Sequence, residues 1–393
     1  MKETKFKNTE IGEIPKDWEV TSIGKVCNVR RGVRVTKEQL TYEGRYPVYQ
    51  NTNYPMGYFD NYNADANTPF VIVGGSAGQI GLSKERYWAA DDCAYFEKSY
   101  TLNKVFLYYE LTHRQFEIKK FVRTASVPRL DRKVIEDFVL PLPYLHEQHR
   151  IASALTSIDN LISSIGKLIE KKKNIKQGAM QQLLTGRTRL KEFNEPWVKR
   201  KLGDNATIQR GGSPRPIEAY LTTNRDGINW IKIGDVRPND KFIRHTVEKI
   251  IPEGISHSRQ VYKGDFILSN SMSFGRPYIL DIDGCIHDGW LVIKDYSNTY
   301  DMDFLYYILS SDTVFEQYIA MAAGSSVKNL NKEKVANVML FAPQSLAEQR
   351  AIATIPNKMD NEITALETKK AKYEAIKQGM MQQLLTGKIR LIS

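Results

Sequence analysis

The sequence predicts a mixed α/β (α+β) protein built twice. Each copy is a globular segment followed by a long helix, and the two helices pair as an antiparallel coiled coil about a pseudo-twofold axis. Three observations carry this. "IKQGAMQQLLTGRTRL" at 175–190 returns as "IKQGMMQQLLTGKIRL" at 376–391, with thirteen of sixteen positions identical at an offset of 201. Apolar residues ahead of each copy are spaced by threes and fours, the signature of one helix face. "WEVTSIGKVCNVRRG" from Trp18 is echoed by "WVKRKLGDNATIQRG" from Trp197. Two similar units in one chain pack as homodimer subunits do, and a twofold perpendicular to the helices makes them antiparallel.

In chain order, the first anchors are Trp18, Gly24, Arg31 and Gly32, which recur as Trp197, Gly203, Arg210 and Gly211 at an offset of 179. Both tryptophans read as core residues. The two offsets differ by 201 − 179 = 22 residues, so the globular segments diverge while their frame is kept. "TPFVIVGGSAGQIG" reads as a strand running into a tight glycine connection, and "KGDFILSNSMSFGRPYIL" takes its place in the second copy. "FLYYELTHRQFEIKKF" and "FLYYILSSDTVFEQYI" read as matching amphipathic helices. "SVPRLDRKVIEDFVLPLP" and "SVKNLNKEKVANVMLFAP" lead back to the long helices.

The long helices repeat over a greater length than their best part. Residues 147–174 align with 348–375 at 8 of 28 positions. Ile151, Leu155, Ile158, Ile162, Ile165 and Ile169 form one stripe. Ile352, Ile355, Met359, Ile363, Leu366, Tyr373, Ile376, Met380 and Leu384 form the other. Sustained over several turns, such stripes suggest a coiled-coil seam. Gly186 and Gly387 are natural stops, because glycine accepts the left-handed cap conformation. About 38 residues at ~1.5 Å each make a rod on the order of 55 Å long. Pro356 falls on a stripe position and is expected to kink the second helix or to begin it. The lysines at 171–173 interrupt the first stripe and read as a solvated face, with a contact to DNA or a partner as the alternative. The expected divisions are 1–146 and 188–347 for the globular segments, and 147–187 and 348–393 for the helices.

Composition narrows the partner. Lys plus Arg is 56 against 45 acidic residues, a net charge of +11, which favours an anionic partner such as nucleic acid. The three cysteines are far apart, which fits a reducing cytoplasm rather than a disulfide framework. We find no secretory leader and no apolar run near the ~20 residues that span a bilayer. "HEQH" at 146–149 lacks the second histidine spacing of a zinc protease, and its repeat partner holds none of the histidines. "VGGSAGQIGLS" lacks the Gly-Lys-Ser/Thr of a phosphate loop, and no Asn-Pro-Pro-Tyr or Asp-Pro-Pro-Tyr adenine-methylase motif occurs. A basic, pseudo-dimeric protein with unlike globular units suits two separated, unlike DNA half-sites, since protein geometry fixes half-site spacing.

With these features in order, the sequence resembles the specificity (S) subunit of a type I restriction-modification system. The resemblance rests on "TEIGEIPKDWEV", "IQRGGSPRP", "EQHRIASAL" with "EQRAIATIP", and the two "QQLLTG" endings. It implies two target recognition domains, each reading one half of a bipartite site in double-stranded DNA, with the helices setting the spacing. It also implies two modification subunits that use S-adenosylmethionine to methylate adenine, and restriction subunits that use ATP and Mg. This chain would then be a non-catalytic, cytoplasmic subunit holding no cofactor or metal. Two other readings stay open: a specificity subunit serving a fused methylase-nuclease partner, and a coiled-coil scaffold that binds no DNA.

Candidate DNA contacts are polar residues in Gly/Ser/Pro-rich connections, because Arg and Lys reach phosphates and guanine edges while Asn and Gln pair with adenine. In the first globular segment these are Arg31, Arg34, Gln50, Asn51, Ser76, Gln79, Arg123 and Arg129. In the second they are Arg210, Ser213, Arg215, Lys232, Asn270, Ser273, Arg276 and Lys328. Arg215, held between Pro214 and Pro216, is expected to read a base. Arg210 recurs as Arg31 in a unit reading different DNA and is expected to touch phosphate.

Overall fold

A computed structural model describes residues 4–41, 43–124, 126–237, 240–270, 274–322 and 330–392. The chain forms two compact units that do not follow its order. One holds residues up to 167 together with those from 367 onward; the other holds 168–366. The long helices, Leu145–Leu183 and Leu346–Leu384, each run through both. Each unit is thus one globular segment, the first half of the helix that follows it, and the last half of the other helix.

The globular segments share a framework of short strands. In the first, an antiparallel sheet runs in the order Val29–Arg31, Cys93–Phe96, Pro69–Ile72, Ile80–Leu82. In the second, Thr207–Arg210, Trp290–Lys294, Phe266–Ser269 and Pro277–Leu280 repeat that order, and Phe242–Ile243 adds a parallel fifth strand. Beside each lies a sheet centred on Tyr46–Tyr49 or Ile228–Ile231, paired parallel to Trp88–Ala89 or Gly284–Ile286. Matched strands Pro69–Ile72 and Phe266–Ser269 stand 266 − 69 = 197 apart, against 179 at the tryptophans. Most of the extra length in the second copy therefore precedes its central strand. The glycine connection expected after Ile72 is a hairpin turn, with Gly75 at φ 82° and Gly78 at φ 81°.

The start of each long helix is braced by its repeated Glu-Gln pair. The Gln148 amide donates to the carbonyls of Pro143 and Thr101 and accepts from the backbone N–H of Asn103. Gln349 does the same with Pro343, Thr299 and Asp301. Asn103 and Asp301 in turn cap helices Lys104–His113 and Met302–Leu309. The expected single amphipathic helices break soon after these ends. Gln115–Lys119 and Asp312–Ala322 are separate helices.

The acid of each pair is a buried anchor. Glu147 accepts from the Trp18 indole at 3.0 Å and from Arg390 Nε at 2.7 Å. Glu348 accepts from the Trp197 indole at 3.0 Å and from Arg189 Nε at 2.9 Å. Each arginine follows the end of the other helix. Around the first anchor, Trp18, Phe106, Leu140 and Ile151 pack with Met381 and Leu384. Around the second, Trp197, Phe304, Leu340 and Ile352 pack with Leu183 and Leu184.

The helix halves within each unit run antiparallel. In the first unit Glu147 meets Arg390 while Asp159 meets Lys377. In the second, Lys172 meets Glu362 and Lys176 meets Asp360, both at 2.5 Å. Ile151, Leu155, Ile158, Ile165 and Ile169 are buried as the stripe predicts. Gly186 and Gly387 both close their helices at φ 68°. Three expectations need correction. Ile376 is 40% exposed, because Lys377 takes the inner position beside Asp159. Lys172 is not on a purely solvated face, because an acid on the other helix draws it in. Pro356 does not begin the second helix, which starts ten residues earlier at Leu346. No helix among the described residues is long and apolar enough to cross a membrane.

Two predictions follow from buried charge. Arg390→Ala strands the Glu147 carboxylate, which is fully buried, and should cost about 3–5 kcal/mol. Arg189→Ala should cost less, since that side chain is 31% exposed against 7% for Arg390. Urea titration of both full-length variants checks the ranking. The second concerns Glu110, buried with its Oε1 lacking a hydrogen-bond partner, where the second unit has Ile308. Burial pushes its carboxyl up to about 8, against the pull of nearby Arg114. The native state then keeps a proton the unfolded chain releases, so stability is fullest below the ordinary glutamate range and is lost as pH rises through about 8. The gain in melting temperature from Glu110→Ile should grow from pH 5 to about 8 and then level off.

Candidate nucleic-acid interface

The matched sheets of both units end in loops, and loops are where readout side chains can project. In both units the loop before the second strand of the sheet carries an aspartate, Asp91 or Asp288. The Nε of Arg31 donates to the Asp91 carbonyl at 3.0 Å, and the Nε of Arg210 donates to the Asp288 carbonyl at 3.3 Å. Gly32 and Gly211, the next residues, donate to Cys93 and Trp290 in the same register. One backbone bond therefore aims the same arginine in both units.

Around Asp91 and Asp92 the structure gathers most first-unit candidates. Gln50 Nε2 lies 3.4 Å from Asp91 Oδ1, and Arg129 Nη1 lies 2.5 Å from Asp92 Oδ1. Ser76 donates its backbone N–H to Asn51, and Arg123 exchanges backbone bonds with Arg129. Arg34 is exposed in the loop after Gly32. Gln79 departs from the expectation: its side-chain oxygen is buried without a hydrogen-bond partner and does not face outward.

Sequence reasoning missed a basic cleft here. Arg31 and Arg129 line a space of about 460 Å³ with Arg132 and Lys133, tempered by Asp131 and Glu136. Arg132 and Lys133 are exposed and lean on acids one turn ahead, Glu136 and Asp137. Such surface pairs are weak and readily exchanged for phosphate. They went unnoticed because "RLDRKVIED" alternates in charge like any solvated helix.

In the second unit Asp288 itself is the hub. Its carboxylate accepts from the Ser213 hydroxyl at 2.9 Å and lies 3.7 Å from the Arg215 guanidinium, which is 83% exposed. The peptide between Arg215 and Pro216 is cis. Arg276 is exposed beyond the turn at Gly275. Two candidates are corrected. Asn270 is buried and donates to the Asp288 carbonyl, so it braces the loop instead of projecting. Lys232 is half-buried and bonded to Glu248 at 2.5 Å. It follows strand Ile228–Ile231 as Gln50 follows Tyr46–Tyr49, yet it turns to its own sheet. Ser273 and Lys328 lie outside the described residues.

Arg groups with free-facing guanidinium edges suit phosphate and guanine, while carboxylates accept from cytosine or adenine amino groups. Asp91 and Asp288 were legible only as acids standing 197 residues apart before matched strands, in "DDCAYF" and "HDGWLV".

The chain matches the family described as "Type I restriction modification DNA specificity domain" over residues 15–176 and again over 194–378. It is 27% identical to the type I restriction enzyme MjaVIII specificity subunit of Methanocaldococcus jannaschii, across 99% of this chain and 97% of that one. A second protein of that organism, the putative MjaX specificity subunit, is 26% identical across 99% and 98%. The fold is similar to a crystal structure of a type I system S subunit from M. genitalium, with a TM-score of 0.68 at 19% identity, covering 97% of this chain and 98% of that chain.

The two arginines beside Asp288 should behave differently. Arg210→Ala should weaken binding to all DNA sequences alike and lower the slope of log affinity against log salt by about 0.9. Arg215→Ala should cost roughly 1–3 kcal/mol at one base position of one half-site. Affinities measured across salt and across single-base substitutions separate the two.

Proposed function

Because this chain belongs to the type I restriction-modification DNA specificity family, we propose that it is the DNA-reading subunit of such a complex. Each unit reads one half of a bipartite, asymmetric site in double-stranded DNA. The observation that carries this is the pair of matched loops. Arg31 over Asp91 and Arg210 over Asp288 share one construction, while their surroundings differ. The shared part serves what both half-sites have in common, the phosphate backbone. The unlike part, Gln50 with Arg129 against Ser213 with Arg215, serves unlike bases.

In this reading the chain performs no covalent chemistry. Modification subunits carry S-adenosylmethionine and methylate adenine on the DNA it selects. Restriction subunits carry ATP and Mg. The two long helices set the distance between half-sites and offer docking surface to the modification subunits. The net charge of +11 raises the encounter rate with DNA and supports non-specific sliding before recognition.

Two measurements test this. A map of methylated adenines in DNA from cells carrying the full system should show an interrupted site with unlike halves; a continuous palindrome would refute the two-reader arrangement. Inserting four residues just before Gly186 moves one reader by about one turn, ~5.4 Å. Against ~3.4 Å per base pair, the gap should lengthen by about one or two base pairs with both half-sites unchanged.

A further inference from the structure

Each unit contains a three-part polar contact that joins its globular segment to both helix halves. In the first, the Tyr109 hydroxyl donates to Asp159 Oδ2 at 2.8 Å, and Lys377 Nζ lies 2.7 Å from Asp159 Oδ1. The ammonium also sits 5.7 Å from the centre of the Tyr109 ring. In the second, the Tyr307 hydroxyl lies 2.7 Å from Asp360 Oδ2, and Lys176 Nζ lies 2.5 Å from Asp360 Oδ1 and 5.6 Å from the ring centre. The tyrosine comes from the globular segment, the aspartate from the helix that follows it, and the lysine from the far end of the other helix.

The Glu147–Arg390 and Glu348–Arg189 anchors pin the helix ends and Lys172–Glu362 bridges the helices in the second unit. Much of the packing between them is an apolar stripe, and apolar packing is non-directional. Burial of an Ile and Leu stripe depends on area and not on angle, and so tolerates small displacements. A charge-assisted hydrogen bond does not, because it weakens steeply with distance and angle. DNA positions repeat every ~3.4 Å, so a ruler that slides by half that distance loses its count. The tyrosines are well placed for this duty: burial drives both phenols far above their ordinary range, so they stay protonated donors.

We propose that the two Tyr–Asp–Lys clasps are positioning elements that lock each reader in register on the helix pair, and so set how strictly the gap between half-sites is measured. The proposal rests on the two-reader function above. The second clasp is the larger. Asn357 stands where the first unit has Thr156, and it ties in Lys241 at 2.8 Å and Asp303 at 2.7 Å. Lys241 immediately precedes the edge strand Phe242–Ile243. The second reading sheet is thus fastened to its helix directly, and its clasp should dominate gap discrimination.

The test uses the complete complex of this chain with its modification subunits. The substrate is a DNA library holding both half-sites with the gap native, one shorter or one longer. Tyr109→Phe and Tyr307→Phe remove only the hydroxyls and keep the rings in the core. Methylation at the altered gaps, relative to the native gap, should rise about tenfold for Tyr307→Phe and less for Tyr109→Phe, with half-site bases unchanged. Lys176→Met and Lys377→Met, which leave the phenols untouched, should rank the same way and stand in if a phenylalanine variant fails to fold. An unchanged ratio in folded variants, whether or not overall methylation falls, overturns the proposal. A wild-type complex with no fixed gap would instead overturn the two-reader reading beneath it.

Discussion

A buried carboxylate held by an arginine from the far end of the other helix is the constraint on which each unit depends. Glu147 and Glu348 are both almost fully buried, and each accepts charge-assisted hydrogen bonds from its arginine, Arg390 or Arg189. The bond does more than neutralise a charge. It brings Trp18 or Trp197 against the opposite helix end, and with it the strand that follows, Glu19–Ser22 or Val198–Lys201. Apolar residues from both sources then close the core around it. Asp17 adds a second acid to Arg390, whose guanidinium holds that carboxyl below its ordinary range. The first anchor is accordingly the more enclosed of the two.

The frame of this protein was legible in the sequence because frame residues repeat at constant offset. Glu147, Gln148, Asp159, Lys176 and Arg189 all recur 201 residues later, and each has a structural partner in both units. Even the exchange of ends could be inferred. A helix of 39 residues spans nearly 60 Å, so Arg189 cannot return to the glutamate that opens its own helix. The apolar stripe was less informative at its weak points, where a lysine with an acid opposite displaces an isoleucine.

The reading faces were only partly legible. Polar residues in glycine-rich loops include both those that face outward and those that satisfy the loop's own backbone, and composition does not separate them. Asn270 and Gln79 were chosen on polarity and turn inward. The aspartates that organise both faces were overlooked because acids in a basic protein read as charge balance. Their importance appears only when the matched strands are laid over one another, and those strands share almost no identical residues. Arg31 and Arg210 were found for the opposite reason: they sit beside the glycines that recur.

The interleaving of helix ends also bears on how the chain is made. The first globular segment leaves the ribosome by about residue 146, but its core lacks Met381, Leu384 and Leu385, and Glu147 lacks its cation, until Arg390 is synthesised. At roughly 5–20 residues per second that wait is on the order of 10–50 seconds. The second globular segment suffers no such delay on one side, because Leu183, Leu184 and Arg189 are already present when Trp197 emerges. The half of the molecule that is translated last is therefore the first able to complete its core. The half translated first must wait for most of synthesis with one side of its core open, until Met381, Leu384 and Leu385 arrive.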